Sequence, residues 1–251
     1  MEQKATFIDA HCHIDMCKTP VQDIISHATQ AGVGIMITQG VNPASNRKAL
    51  SLATKYPQIK VALGLYPIDA LALSDEETEQ ELSFIRDHKS DIFAIGEVGM
   101  DFKEDLAQHA RQEQIFRKII ALAQELDKPV IVHSRKAESA CVTILTEMHA
   151  KKVIMHCFSG KFSLIKTVVE NNWTLTIPTN VKNSEHFQKM IEAVPLTQLL
   201  CETDSPYLHP DKLPDNEPAN VLASYEKIAE IKKESIEQVK NQLFENYSRL
   251  V

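Results

Sequence analysis

The chain has 251 residues, 43% of them hydrophobic and 24% charged, the make-up of a globular protein with a sizeable core. A formal net charge of −7 at pH 7 disfavours long-range attraction to nucleic-acid phosphates, although two divalent cations in a cleft would reverse that balance locally. The 5 cysteines include no Cys-x-x-Cys pair, no apolar run nears the ~20 residues that span a bilayer, and Met1–Thr6 does not read as a leader. A disulfide framework, a structural zinc knuckle and a membrane partner are therefore excluded, and a cytoplasmic protein is expected.

In chain order, apolar runs at 6–10, 33–38, 60–64, 92–96, 129–133, 153–157, 174–178 and 198–202 predict eight strands. Amphipathic stretches near 20–30, 43–56, 75–89, 108–127, 136–150, 161–171 and 184–193 predict the helices between them; 217–232 and 235–249 follow the last strand. Ser74-Asp75-Glu76-Glu77 reads as an N-cap with acidic residues in the first turn, and Pro129 marks the end of the 108–127 helix. Pro206 to Pro218, with four prolines, is expected to be a long loop after strand eight. Nothing divides the chain, so one domain over 1–251 is expected.

Alternating strands and helices imply an α/β fold with a parallel sheet, and the length suits a (β/α)8 TIM barrel with an additional C-terminal helix. A doubly wound open sheet is the alternative. It separates its edges, whereas a barrel brings strand eight beside strand one, and the candidate ligands favour closure. They sit at the downstream ends of the apolar runs, where a parallel barrel gathers its chemistry. His11 and His13 follow Phe7-Ile8-Asp9-Ala10, Glu97 follows Ala94-Ile95-Gly96, His133 follows Val130-Ile131-Val132, His156 follows Val153-Ile154-Met155, and Asp204 follows Leu199-Leu200-Cys201.

Two imidazoles two positions apart share one face of an extended segment and can share a metal. Glu97 has two oxygens and can bridge two cations, with Gly96 and Gly99 beside it as a sign of crowding near a ligand. His133 and His156, on consecutive strands, suit a second metal. Asp204 can ligate and also take a proton from attacking water, and Glu202 is given a supporting role. Cys12 and Cys157 are read as small fillers of strand ends. His27, His88, His109, His149 and His186 fall on predicted helices as surface residues, and His209 is given no role.

The chain resembles the TatD-type metal-dependent hydrolases of the amidohydrolase-like metallo-barrel group. The resemblance rests on Phe-Ile-Asp-Ala-His-Cys-His-Ile-Asp (7–15), Ala-Ile-Gly-Glu-Val-Gly-Met-Asp-Phe (94–102) and Gln112-x-x-x-Phe116. It continues through Pro-Val-Ile-Val-His-Ser-Arg (129–135), Met-His-Cys-Phe-Ser-Gly (155–160), Leu-Leu-Cys-Glu-Thr-Asp-Ser-Pro-Tyr-Leu (199–208), Asn216-Glu217-Pro218 and Asn246-Tyr247-Ser248-Arg249-Leu250. It implies a (β/α)8 fold and a two-metal site, one ion on His11, His13, Glu97 and Asp204 and the other on Glu97, His133 and His156. The implied activity is a deoxyribonuclease, commonly 3′-to-5′ on single strands or 3′ ends of DNA. Metal-activated water would be the nucleophile, with Asp204 as general base and Glu97 bridging. Arg135 and Ser159, just beyond two ligands, are expected to contact phosphate. Ligand type suits Zn2+, Mn2+, Co2+ or Ni2+, while Mg2+ prefers more oxygen.

Three segments depart from the family pattern. Gly64-Leu65-Tyr66-Pro67 stands where Gly-x-His-Pro is usual, so the substrate-facing position carries a tyrosine with one hydrogen to donate and no charge. Asp211-Lys212-Leu213-Pro214-Asp215 replaces a basic stretch, and Ile177-Pro178-Thr179-Asn180 replaces Ser-x-x-Gly-like residues. These departures keep two alternatives open: hydrolysis of a non-DNA ester or amide, such as an acyl-nucleotide or small metabolite, and a non-catalytic metal-binding scaffold.

Overall fold

The structure, a computed structural model, describes residues 5–251; Met1–Lys4, at the head of the segment inspected for a leader, lie outside the described residues. The strands are β1 (Phe7–Cys12), β2 (Val33–Gln39), β3 (Ile59–Leu63), β4 (Ala94–Gly99), β5 (Val130–His133), β6 (Val153–Met155), β7 (Thr174–Pro178) and β8 (Leu199–Glu202). They form one eight-stranded sheet whose spatial order is the order of the sequence. The helices are α1 (Val21–Gln30), α2 (Pro43–Lys55), α3 (Pro67–Leu71), α4 (Asp75–Asp87), α5 (His109–Leu126), α6 (Glu138–Glu147), α7 (Phe162–Glu170), α8 (Glu185–Ala193), α9 (Leu222–Lys232) and α10 (Ile236–Ser248). This is the connectivity of the expected (β/α)8 barrel, with α10 as the extra C-terminal helix. Among the described residues, no helix is long and apolar enough to cross a membrane.

Two compact units make up the chain, and neither is continuous in sequence. The first runs to Thr38 and adds Tyr56–Lys60 and Leu175–Val251. In it β1 and β8 lie side by side: the Asp204 amide donates to the His11 carbonyl at 2.9 Å and the His13 amide to the Ser205 carbonyl at 2.8 Å. α9 fastens to β1 through the fully buried Tyr225, whose hydroxyl receives the Ile8 amide at 3.0 Å and reaches the Ile8 carbonyl at 3.2 Å. α10 holds the entry to β8, because Asn246 Nδ2 donates to the carbonyls of Leu196 and Leu199 at 2.8 Å each.

The second unit comprises Gln39–Lys55 and Val61–Thr174 and carries β4, β5 and β6. β4 pairs in parallel with β3 on one side and β5 on the other. α5 packs on β4, α3 and α4. It buries Ile115, Phe116, Ile119, Ile120, Leu122 and Ala123, the three- and four-residue stripe that its sequence predicts. The Ser74 cap is present with its reciprocal partner: the Glu77 amide donates to Ser74 Oγ at 3.2 Å and the Ser74 amide to the Glu77 carboxylate at 2.8 Å. Every residue of β4, β7 and β8 is buried, as in a parallel sheet covered on both faces.

Several boundaries differ from the sequence expectation for physical reasons. The 92–96 run is displaced, because Ile92 and Phe93 form a buried lead-in and the paired strand begins at Ala94. An additional short helix, α3, opens after β3 with Pro67 at its first turn, where the missing N–H costs nothing. The helix expected from 217 starts as a 3-10 turn, Pro218–Val221, before α9.

Candidate metal centres

Two groups of ligand-type side chains stand out, one in each unit. In the first unit, β1 does not keep a regular register against β2. Asp9 pairs with Met36 and Cys12 with Thr38, so three steps of β1 oppose two of β2, with Ala10 and His11 in the irregular stretch. Such a bulge re-aims side chains at functional sites. Here His11 Nε2 and His13 Nε2 stand 3.2 Å apart, and Asp204 Oδ1 is 3.6 Å from each. Ligand atoms about 2.1 Å from one tetrahedral ion stand about 3.4 Å apart, so these three positions fit a cation. Asp204 reaches them from a left-handed backbone (φ 54°) and is 16% exposed, whereas His11 is fully buried.

Behind this group the fully buried Asp9 joins β1 to the segment after β8. It accepts the Thr203 amide at 2.9 Å, the Thr203 hydroxyl at 2.6 Å and the His11 amide at 3.3 Å. Burial pushes its carboxyl up to about 8, against the lowering effect of the Thr203 and His11 hydrogen bonds. Asn216 fixes the loop itself, its Nδ2 lying 3.0 Å from the Thr203 carbonyl, 3.1 Å from Thr179 Oγ1 and 2.7 Å from the Tyr207 carbonyl. Cys12 takes no part: its buried thiol donates to the Ile37 carbonyl at 3.4 Å, and burial holds it well above the usual thiol range.

The second group is built on β4, β5 and the end of β6. β4 also carries a bulge, Ile95 pairing with Val130 and Val98 with Val132, so Gly96 and Glu97 occupy the irregular stretch. Glu97 Oε1 lies 2.8 Å from His133 Nδ1 and 3.8 Å from His156 Nε2. All three side chains offer ligand atoms within 4.8 Å of one another, again a donor set that fits a divalent ion. The flanking glycines lie close against a neighbouring strand. A Cβ on Gly96 would meet Ile131 Cβ at 2.7 Å, and one on Gly99 (φ 137°) would meet the His133 carbonyl at 2.0 Å.

A family model described as TatD related DNase matches residues 8–251. The chain belongs to this family. It is 37% identical to an uncharacterized metal-dependent hydrolase of Methanocaldococcus jannaschii, covering 96% of this chain and 94% of that protein. It is 33% identical to deoxyribonuclease TATDN3 of Homo sapiens, covering 92% and 89% of the two chains. Among solved structures, the TatD homologue YjjV of Escherichia coli K12 superposes with a TM-score of 0.90 at 27% identity over 97% of each chain. The fold is therefore the (β/α)8 barrel, and the protein is a metal-dependent hydrolase of ester bonds.

The remaining candidates of this TatD-family hydrolase are already engaged. Arg135 Nη1 pairs with Glu104 at 2.9 Å, and Ser159 Oγ donates to Glu138 at 2.9 Å. Tyr66 donates its hydroxyl hydrogen to Asp101 Oδ2 at 2.9 Å. Sequence reasoning gave no role to Asp101, to Asp9 and Thr203, or to Gln112, although each lies in a motif it quoted. Gln112 sits on the buried stripe of α5 and brackets the Asp101 backbone, accepting its amide at 2.8 Å and donating to its carbonyl at 3.1 Å. A polar residue on an otherwise apolar helix face was the available signal. The helix-borne histidines are exposed or half-buried, with His88 and His149 just beyond the ends of α4 and α6.

Proposed function

We propose that residues 1–251 act as one catalytic domain that hydrolyses DNA with two divalent cations, one in each group, shortening single strands from the 3′ end. The observation that carries this reading is the spacing of His11, His13 and Asp204, 3.2 to 3.6 Å between ligand atoms, which matches a shared ion. The substrate is supported by the name of the human relative, a deoxyribonuclease. Zn2+, Mn2+, Co2+ and Ni2+ suit the mixture of imidazole and carboxylate better than Mg2+ does.

A bound divalent cation supplies polarisation of a phosphoryl oxygen and a lowered pKa for water. The protein side chains do the rest. His11 and His13 present Nε2 atoms held in place by the β1 bulge. Asp204, partly open to solvent, orients the attacking water and accepts its proton. Attack at phosphorus breaks the bond to the 3′ oxygen, which leaves with a proton in return. Arg135, 43% exposed, exchanges Glu104 for a phosphate oxygen, and Ser159 exchanges Glu138.

One observation favours a second reading, a carboxyl ester or amide as substrate. The loop after β8 carries Asp211 and Asp215, which pair with Lys182 and Lys18, so the pairs leave no surplus positive charge for a phosphate. Turnover of a 3′-labelled single-stranded oligonucleotide by metal-reconstituted protein, beside a generic carboxyl ester, separates the two. Stepwise shortening is expected, falling by about a thousandfold in Asp204→Asn. Ester hydrolysis without DNA cleavage selects the second reading. Turnover of neither, with ions bound, means that the ester this hydrolase cleaves is neither DNA nor a generic carboxyl ester.

A further inference from the structure

Four donors converge on the buried carboxylate of Asp101. Oδ1 accepts the amides of Lys103 and Glu104 at 2.8 and 2.9 Å, while Oδ2 accepts the Tyr66 hydroxyl at 2.9 Å and His133 Nε2 at 3.0 Å. Gln112 holds the Asp101 backbone from both sides. The carboxylate is therefore fixed, and both hydrogens that reach Oδ2 come from side chains near the Glu97 group.

The orientation of His133 follows from this. An ionised carboxylate only accepts, so the hydrogen between His133 and Asp101 resides on Nε2. Nδ1 then faces Glu97 Oε1 at 2.8 Å. Turning the ring over would present carbon to both carboxylates and lose both contacts. With Nε2 committed, Nδ1 offers its lone pair at the position an ion would share with Glu97 and His156. A carboxylate behind a ligating imidazole fixes its tautomer and raises its basicity.

We propose that Asp101 is the positioning residue for a cation held by Glu97, His133 and His156, and that Tyr66 acts on that cation through Asp101 and not on the substrate. Tyr66 and His133 compete for one oxygen, so the tyrosine hydrogen sets how strongly Asp101 holds the imidazole. The tyrosine in place of the usual histidine after β3 then changes a metal ligand's electronics and leaves the substrate contacts alone. The proposal rests on the assignment of an ion to this group, and its readout is ion binding without substrate.

The test is a titration of metal-free protein with Zn2+, followed through the side-chain nitrogens of 15N-histidine-labelled samples. In the loaded wild type, His133 is expected to carry hydrogen on Nε2 and none on Nδ1. Asp101→Asn is expected to weaken ion binding at this group about 10- to 100-fold. Tyr66→Phe keeps the ring and removes only the hydroxyl, and because two amides still anchor Oδ1 it is expected to tighten the ion about threefold. Hydrogen on Nδ1 in the loaded wild type overturns the proposal, as does a group that takes no Zn2+. If Asp101→Asn does not fold, Tyr66→Phe decides: an unchanged Kd for the ion overturns the role of Tyr66 whatever happens to KM. Normal ion binding without DNA cleavage overturns only the nuclease reading.

Discussion

Asp9 and Asp204 both lie beside His11, yet their surroundings give them different work. Asp9 is fully buried and takes hydrogen bonds from Thr203 and His11, linking β1 to the chain after β8. Removing it leaves two buried donors of Thr203 without their acceptor, each costing about 1–3 kcal/mol. Asp204 contributes its side chain to the histidine pair and its backbone to the scaffold, the amide donating to the His11 carbonyl at 2.9 Å and the carbonyl accepting the Tyr207 amide at 2.8 Å. Its positive φ suits Asn as well as Asp, so Asp204→Asn introduces no new backbone strain. Urea unfolding of the metal-free protein is therefore expected to show Asp9→Ala destabilised by about 3–5 kcal/mol. Asp204→Asn should stay within about 0.5 kcal/mol of wild type while losing turnover. Equal losses of stability would mean that Asp204 is a structural residue and not a catalytic one.

The strands were legible because each is a short, mostly apolar run, and a buried parallel sheet leaves little else to read. His11, His13, His133, His156 and Asp204 stood out for the same reason: they interrupt or end such runs. The bulges at Ala10–His11 and Gly96–Glu97 were not legible, because a bulge is a relation between two strands and neither sequence carries it alone. Asp101 was hidden for a related reason. It lies in the segment after β4, and only folding shows that Tyr66, Gln112 and His133 surround it. Gly99 shows how close β4 and β5 must come, since its added Cβ would stand 2.0 Å from the backbone carbonyl of His133. Backbone cannot move aside as a flexible side chain can, and φ 137° is itself unfavourable for any L side chain. Gly99→Ala is expected to cost more than about 3 kcal/mol, by overpacking and strain together, and to displace the His133 resonances in NMR spectra. A folded variant with unshifted His133 signals would show that β4 has room to give.

With 34 acidic and 27 basic residues, the chain as a whole repels a polyanion and must draw one, if it does, by local charge. The same surplus of carboxylates makes cation binding the natural source of that charge. Both ligand groups exist before any ion arrives: in each, imidazoles and carboxylates are assembled within 4.8 Å at the ends of strands. An ion that binds only such preassembled groups stabilises the folded state by mass action, about 2.7 kcal/mol for each site at a hundredfold excess over Kd. For a chain of this size that is roughly 5–10 °C in Tm per filled site. Differential scanning calorimetry with Zn2+ or Mn2+ is therefore expected to raise Tm, and a chelator to return it. Because protons compete for the same imidazoles, the increment should shrink as pH falls. His133→Gln should abolish the share belonging to the Glu97 group and leave that of His11, His13 and Asp204. A Tm indifferent to cation and chelator at neutral pH would mean that neither group takes an ion, and the two-cation reading would fall with it.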